Sequence, residues 1–264
     1  MNIFLREVKA NLKSLLIWGV IVVLFVMVGT SKFSAYANNP EMLKVLDAMP
    51  PAMLAAFSFK AFNMTTITGF LGIMFTYYAL MLGIAAAMWG SDIISKEERD
   101  KTVEFSLTLP VSRSRVVTAK TLAALVNCVA LLLITWGAAV VSAQPYKPDS
   151  GFYKFLLLCV LALFILQLVF LSIGILLGCA MKQYRRASSL AVSVLLVTYF
   201  LSVISALNKN LDFLKYFTPF KYFDALAMLN ESRLDLAFVG LSLAIIVASM
   251  VGAYVTYARR DLYI

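Results

Sequence analysis

The 264-residue chain contains no histidine. That removes imidazole general bases, histidine metal ligands and histidine proton relays in one step. Charge is scarce too: 14% of the residues are charged, against about 25% in soluble domains. Cysteine is limited to Cys128, Cys159 and Cys179, all inside apolar runs. An odd set with neither a disulfide framework nor metal-ligand spacing reads as small buried hydrophobes. The dipeptide Gly-Lys never occurs, so there is no GxxxxGK[ST] phosphate loop. Any ATP use must come from a partner chain. The apolar runs hold almost no ionisable group at mid-depth, where Asn127 and Gln167 are the main polar side chains. Ion-coupled carriers normally place a charge there to bind the coupled ion. The absence counts against secondary transport, although backbone carbonyls of broken helices can bind Na⁺. No residue set has the makings of a catalytic or metal site.

What is present is hydrocarbon. The sequence is 62% hydrophobic, with a mean hydropathy of +0.87. Six charge-free windows follow one another: 14–31, 61–91, 121–146, 155–181, 187–208 and 236–258. A hydrocarbon core of about 30 Å needs roughly 20 helical residues at about 1.5 Å each. Each window accommodates one span and none accommodates two. The expected fold is an all-α integral membrane protein, a single domain over 1–264 with spans near 15–31, 66–90, 121–143, 155–181, 187–207 and 236–258. With both termini on the cytoplasmic side, 14 of the 23 basic residues and eight of the nine arginines lie inside. The positive-inside bias favours that orientation, in a cytoplasmic membrane. This bias and anionic headgroups account for the net charge of +9 without nucleic acid.

The basic start and Ala35-Tyr36-Ala37 imitate a secretory leader. The apolar run between them is too long for a leader core, and five more spans follow, so it reads as an uncleaved first helix. Before it, Phe4, Leu5, Val8 and Leu12 recur at helical spacing apart from Arg6, Lys9 and Lys13. Such a segment suits an amphipathic interfacial helix, and equally an extension of helix one. In the outer loop 31–65, Asn38-Asn39-Pro40 and Pro50-Pro51 punctuate two short amphipathic helices. The segment 208–233 alternates Phe217, Phe220 and Phe223 with Lys215, Lys221 and Asp224 around Pro219. It is expected to form a re-entrant helical cap in the outer leaflet, between helices five and six. Met74, Met81, Tyr77 and Tyr78 on helix two, with Thr198, Tyr199, Ser202 and Ser205 on helix five, are candidates for lining a path; ordinary helix packing explains them as well. Gly174 and Gly178 form a GxxxG pattern on helix four.

The charge that remains is concentrated. Residues 91–120 hold eleven of the 37 charged residues. Ile93–Thr108 suits a helix whose exposed turns carry the charges from Lys96 to Glu104, with Phe105, Leu107 and Leu109 as apolar anchors. Pro110 breaks it, and Ser112 can cap the helix that follows. Arg113 and Arg115 then sit at a helix N-terminus, where the dipole opposes them. A lipid phosphate or a protein carboxylate is expected to compensate them. Such a loop reads as a docking lever.

Glu97-Glu98-Arg99-Asp100-Lys101-Thr102-Val103-Glu104, then Leu109-Pro110-Val111-Ser112-Arg113 and Lys120, resembles the signature of ABC-2 type transporter permeases. That pattern runs E-x-(2–3)-G-T-x-E, then P-[VI]-S-R, then a lysine leading into helix three. Met49-Pro50-Pro51 and Gly69-Phe70-Leu71 also resemble outer loop one of one bacterial branch. Lys101 stands where the family usually has glycine, which restricts the local turn. The resemblance implies a coupling helix between spans two and three, seated in a separate nucleotide-binding subunit. Glu97, Glu98, Arg99, Thr102 and Glu104 would form or brace that contact, with Pro110 and Arg113 at the elbow. It further implies a second permease subunit and ATP with Mg²⁺ held by the partner ATPase, this chain carrying no cofactor and no catalytic residues. The expected function is the permease subunit of a bacterial exporter of hydrophobic or amphipathic cargo, such as a peptide, antimicrobial or lipid-like molecule. The alternatives are a membrane-embedded sensor or assembly protein docking a non-ATPase partner, and an ion-coupled transporter.

Overall fold

The computed structural model describes residues 3–37, 62–99, 111–181, 183–207 and 209–259. The two short helices expected in the outer loop fall largely outside the described residues, as do residues 100–110 of the expected coupling loop 91–120, with Thr102, Glu104 and Pro110. Nothing in the described residues is a strand. Six helices are long and apolar enough to cross a membrane: α1 (Ile3–Tyr36), α2 (Ile67–Arg99), α3 (Arg113–Ala143), α4 (Ser150–Ala180), α5 (Tyr184–Leu207) and, after a short α6 (Ala225–Glu231), α7 (Leu236–Arg259).

Successive spans alternate in direction. One end of the bundle gathers the start of α1, the end of α2, the start of α3 and the end of α7, and we call it the basic end. At the other, capped end, the connection from α5 to α7 folds into 3-10 turns (Lys209–Phe217 and Pro219–Lys221) and α6. The segment expected to be helical is built as short turns, with Pro219 opening the second of them, where its missing N–H costs no helical bond.

The N-terminal segment is continuous with α1. No glycine or proline interrupts it before Gly19, so nothing breaks the helix between the basic residues and the apolar run. Of the two readings open for this segment, the structure shows the extension. At about 1.5 Å per residue the helix is roughly 50 Å long, and its surplus over the hydrocarbon thickness is the charged N-terminal part.

The bundle centres on α4, which packs against α2 most extensively and also meets α7, α5 and α3; α1 lies chiefly on α3. The α2–α4 contact explains the GxxxG pattern. Gly174 lies so close to α2 that a Cβ there would sit 2.5 Å from the Ala87 carbonyl oxygen, and Gly90 of α2 is equally crowded by α4. Without a hydrophobic driving force between helices in lipid, such backbone proximity is what dispersion needs. Serines add hydrogen bonds across helices: Ser91 with Ser188 at 2.9 Å between α2 and α5, and Trp89 Nε1 donating to Ser14 Oγ at 2.9 Å between α2 and α1.

Candidate functional site

Two places in this bundle hold chemistry, one at each end. At the basic end, three helices meet around a buried carboxylate. Glu7 on α1 is 1% exposed and pairs with Lys96 of α2, with Arg6 at 3.2 Å and with Lys120 of α3 at 3.7 Å. Lys120 is itself buried and donates a hydrogen bond from Nζ to the Ile93 carbonyl of α2 at 2.7 Å. Burial alone would raise the Glu7 carboxyl, but the charges of Lys120 and Lys96, with hydrogen bonds from Lys96 and Arg6, hold it below the ordinary carboxylate value. The carboxylate is therefore charged at neutral pH. It ties α1 and α3 to the last turns of α2, immediately before the coupling segment.

The basic end has a second tie. Ser112 caps α3, accepting from the Arg115 backbone N–H at 3.4 Å. Arg113 reaches across to α7, donating from Nη1 to the carbonyls of Tyr257 at 3.3 Å and Ala258 at 3.1 Å. Those carbonyls belong to the last described turn of α7, toward the negative end of its dipole. The compensation for Arg113 thus includes helix-end carbonyls, which the expectation of a phosphate or carboxylate did not foresee. Thr118 and Tyr254 add a hydroxyl pair at 2.7 Å between the same helices.

The residues expected to couple divide by position. Glu97, Glu98 and Arg99 fall on the last turn of α2, while Thr102, Glu104 and Pro110 lie outside the described residues. Arg113 begins α3 and holds α7. Neither Glu7 nor the role of Lys96 is legible in the sequence as part of a site, because their partners lie far apart along the chain. The one available signal was that Glu7 is the only carboxylate before Glu41.

At the capped end, a narrow cleft of about 70 Å³ opens between α2 and α5. Tyr199 and Ser202 line it from α5, and Gly72, Phe75, Thr76 and Ala79 line it from α2. Ser205, three residues on from Ser202, lines a larger cavity of about 600 Å³ within the cap. The α2 candidates sit elsewhere: the Tyr77 and Tyr78 rings pack on Phe25 of α1 at 6.3 and 6.1 Å. Met74 and Met81 are partly buried against the core, and the Thr198 hydroxyl bonds back to the Leu195 carbonyl at 2.8 Å. Phe75 and Thr76, neighbours of the residues singled out, are the ones that face the cleft; a one-residue change turns a helical position by about 100°. Among the described residues no group of carboxylates and cysteines could hold a metal ion.

Asn127 and Gln167 are fully buried, and their amide atoms find no hydrogen-bond partner among the described residues. They lie at nearly the same depth, 16 residues from the capped end of α3 and 17 from that of α4.

No individual curated protein matches the sequence. Residues 1–262 match the family described as ABC-2 family transporter protein. Six apolar helices, a charged interhelical loop and a match spanning nearly the whole chain converge, and this multi-pass membrane protein belongs to the ABC-2 transporter family as a membrane component, a class that typically leaves catalysis to an ABC ATPase.

Proposed function

We propose that this chain is the permease subunit of an ATP-driven exporter in a bacterial cytoplasmic membrane, moving hydrophobic or amphipathic cargo with energy from a separate ATPase. The basic end faces the cytoplasm, as its excess of arginine and lysine favours. The observation that carries the reading is the junction at that end. α2 runs unbroken from the cleft to Arg99, the last residue before the coupling segment, and Glu7 and Lys120 bind it there to α1 and α3. A push on the coupling segment is then delivered to three helices together rather than absorbed by a loose loop. Since α2 lines the cleft at its far end, displacement of its foot changes the cleft.

In this scheme Glu97, Glu98, Arg99, Thr102 and Glu104 seat in a groove of the ATPase, and Pro110 and Arg113 form the elbow that returns to the bilayer. Two permease subunits, identical or related, enclose the path, with α1, α2 and α5 nearest the axis and two ATPases beneath. The cleft walls, Phe75, Tyr199 and Phe220 with Thr76 and Ser202, suit an apolar body with a few polar groups.

Reversal of Glu97, Glu98 and Glu104 to lysine should abolish co-purification of a soluble ATPase and ATP-dependent export, while the permease still inserts and remains monodisperse. Retention of ATPase association and export by the triple variant would overturn the coupling assignment. Export that persists without any ATPase and collapses with the proton or Na⁺ gradient would overturn the energetic one.

A further inference from the structure

The two cavities at the capped end share a wall. Lys221, Phe223 and Asp224 line both the cleft between α2 and α5 and the larger cavity in the cap. Phe223 is buried, so the partition is anchored from within. These three residues lie between the cleft and the cap cavity.

The charges around the larger cavity are mostly spent. Lys215 donates to Asp212 at 2.6 Å and Arg233 to Glu231 at 2.9 Å; the Asp212 hydrogen bond raises the Lys215 pKa. Asp235 also lines the cap cavity without an ion pair among the described residues, accepting from the Ala237 backbone N–H at 2.9 Å. Two more charges sit on the shared wall. Lys221 has no ion-pair partner among the described residues. Asp224 accepts from the Leu226 N–H at 2.9 Å, which leaves its second oxygen and its full charge available. The wall therefore presents one cation and one carboxylate over an aromatic base, in which Tyr222 stacks on Phe238 at 5.2 Å.

We propose that the cap cavity is a release station for a zwitterionic amphiphile, with Lys221 and Asp224 reading the two charges of its head. A bare ammonium is attracted by Asp224 and Asp235 and repelled by Lys221, and a bare carboxylate meets the reverse, whereas a head carrying both charges adds the attraction of Lys221 to that of the carboxylates. The cavity, at about 600 Å³, is of the size that encloses a drug-sized molecule. The cleft beneath, at about 70 Å³, is closed to such a body, so the ligand rests above a shut passage. Peptides with free termini and lipids with an aminophosphate head share this chemistry. The proposal rests on the reading of the α2–α5 cleft as the cargo path and adds the cargo's charge class.

The test is binding to the purified full-length permease in nanodiscs, with no ATPase present. One probe set is a dansylated hydrophobic tetrapeptide with free termini, its N-acetyl form (anionic) and its C-amide form (cationic). A second is lysophosphatidylethanolamine labelled on its acyl chain and the corresponding lysophosphatidylglycerol. The wild type is expected to bind a zwitterionic probe at least tenfold more tightly than its singly charged relatives; whichever set shows this identifies the source. Lys221→Gln should lose that preference in favour of the cationic probe. Asp224→Asn combined with Asp235→Asn, which keeps both backbone acceptors, should lose it in favour of the anionic probe, and Asp224→Asn alone should weaken it. A loss of fold weakens all probes alike and cannot produce these opposite shifts. Equal binding of all charge forms by the wild type, or unchanged preference in both variants, would overturn the proposal. Because the assay omits ATP, that failure leaves the export reading standing. Export failing in the presence of ATPase would in turn leave the binding result standing.

Discussion

Glu7 illustrates how much one buried carboxylate can organise. It neutralises two lysines from different helices, and its removal takes the countercharge from both, although Lys120 keeps its hydrogen bond to the Ile93 carbonyl. Breaking a buried ion pair by deleting one partner costs about 3–5 kcal/mol, whereas replacing the whole set with apolar residues can be neutral. Glu7→Gln should therefore lower the melting temperature of the detergent-purified protein sharply. The triple replacement Glu7→Leu, Lys96→Met, Lys120→Met should recover most of that loss. If the cluster transmits force, the recovered protein will still be deficient in ATP-dependent export; full export would show that the cluster only stabilises. The pH dependence has a definite sign. The Glu7 value is lowered on folding, so its contribution is complete above the ordinary carboxylate value of about 4.3 and is lost as pH falls through the lower, folded value. Melting curves taken from neutral pH to about pH 3 should show a stability loss at the acid end that is smaller in Glu7→Gln. These partners were invisible in sequence, since nothing local links residue 7 to residues 96 and 120.

At the scale of elements, the α2–α4 pair is the rigid part of the bundle. Its contact depends on the missing Cβ atoms of Gly174 and Gly90, each facing backbone across the interface. Backbone cannot yield as a flexible side chain can. Gly174→Leu should part the helices, at a cost of at least about 1–3 kcal/mol, seen as a lower melting temperature and reduced yield of monodisperse protein. An unchanged melting temperature would show that the interface is loose. Gly137 has open space around it, so Gly137→Ala provides the matched control. The spans were legible because exclusion of charge from hydrocarbon is a strong signal needing no tertiary knowledge. The GxxxG pattern named one side of a close approach without its partner. The cap was legible as a cap, but not as two cavities with a common wall, because which side of a short 3-10 turn faces a cavity depends on packing from α5 and α7.

The whole molecule leaves apolar stripes exposed on α1 (Val20, Leu24, Met27), α5 (Val197, Phe200, Ile204) and α7 (Val247, Val251). In the proposed permease pair the α1 and α5 stripes face the second subunit, and the α7 stripe faces lipid. The double variant Val20→Cys, Val197→Cys should form intersubunit disulfides in oxidised membranes, and Val247→Cys should not; the reverse pattern would exclude this arrangement. The native background suits the experiment, because Cys128, Cys159 and Cys179 are all buried. The hold of Arg113 on α7 has a consequence in time as well as in space. Its acceptors lie 144 and 145 residues downstream, on a helix synthesised after the five spans that precede it. Until α7 has emerged and inserted, this arginine stands at the positive end of α3 without those carbonyls. The tie between α3 and α7 is therefore a late event of assembly, however early α3 itself forms.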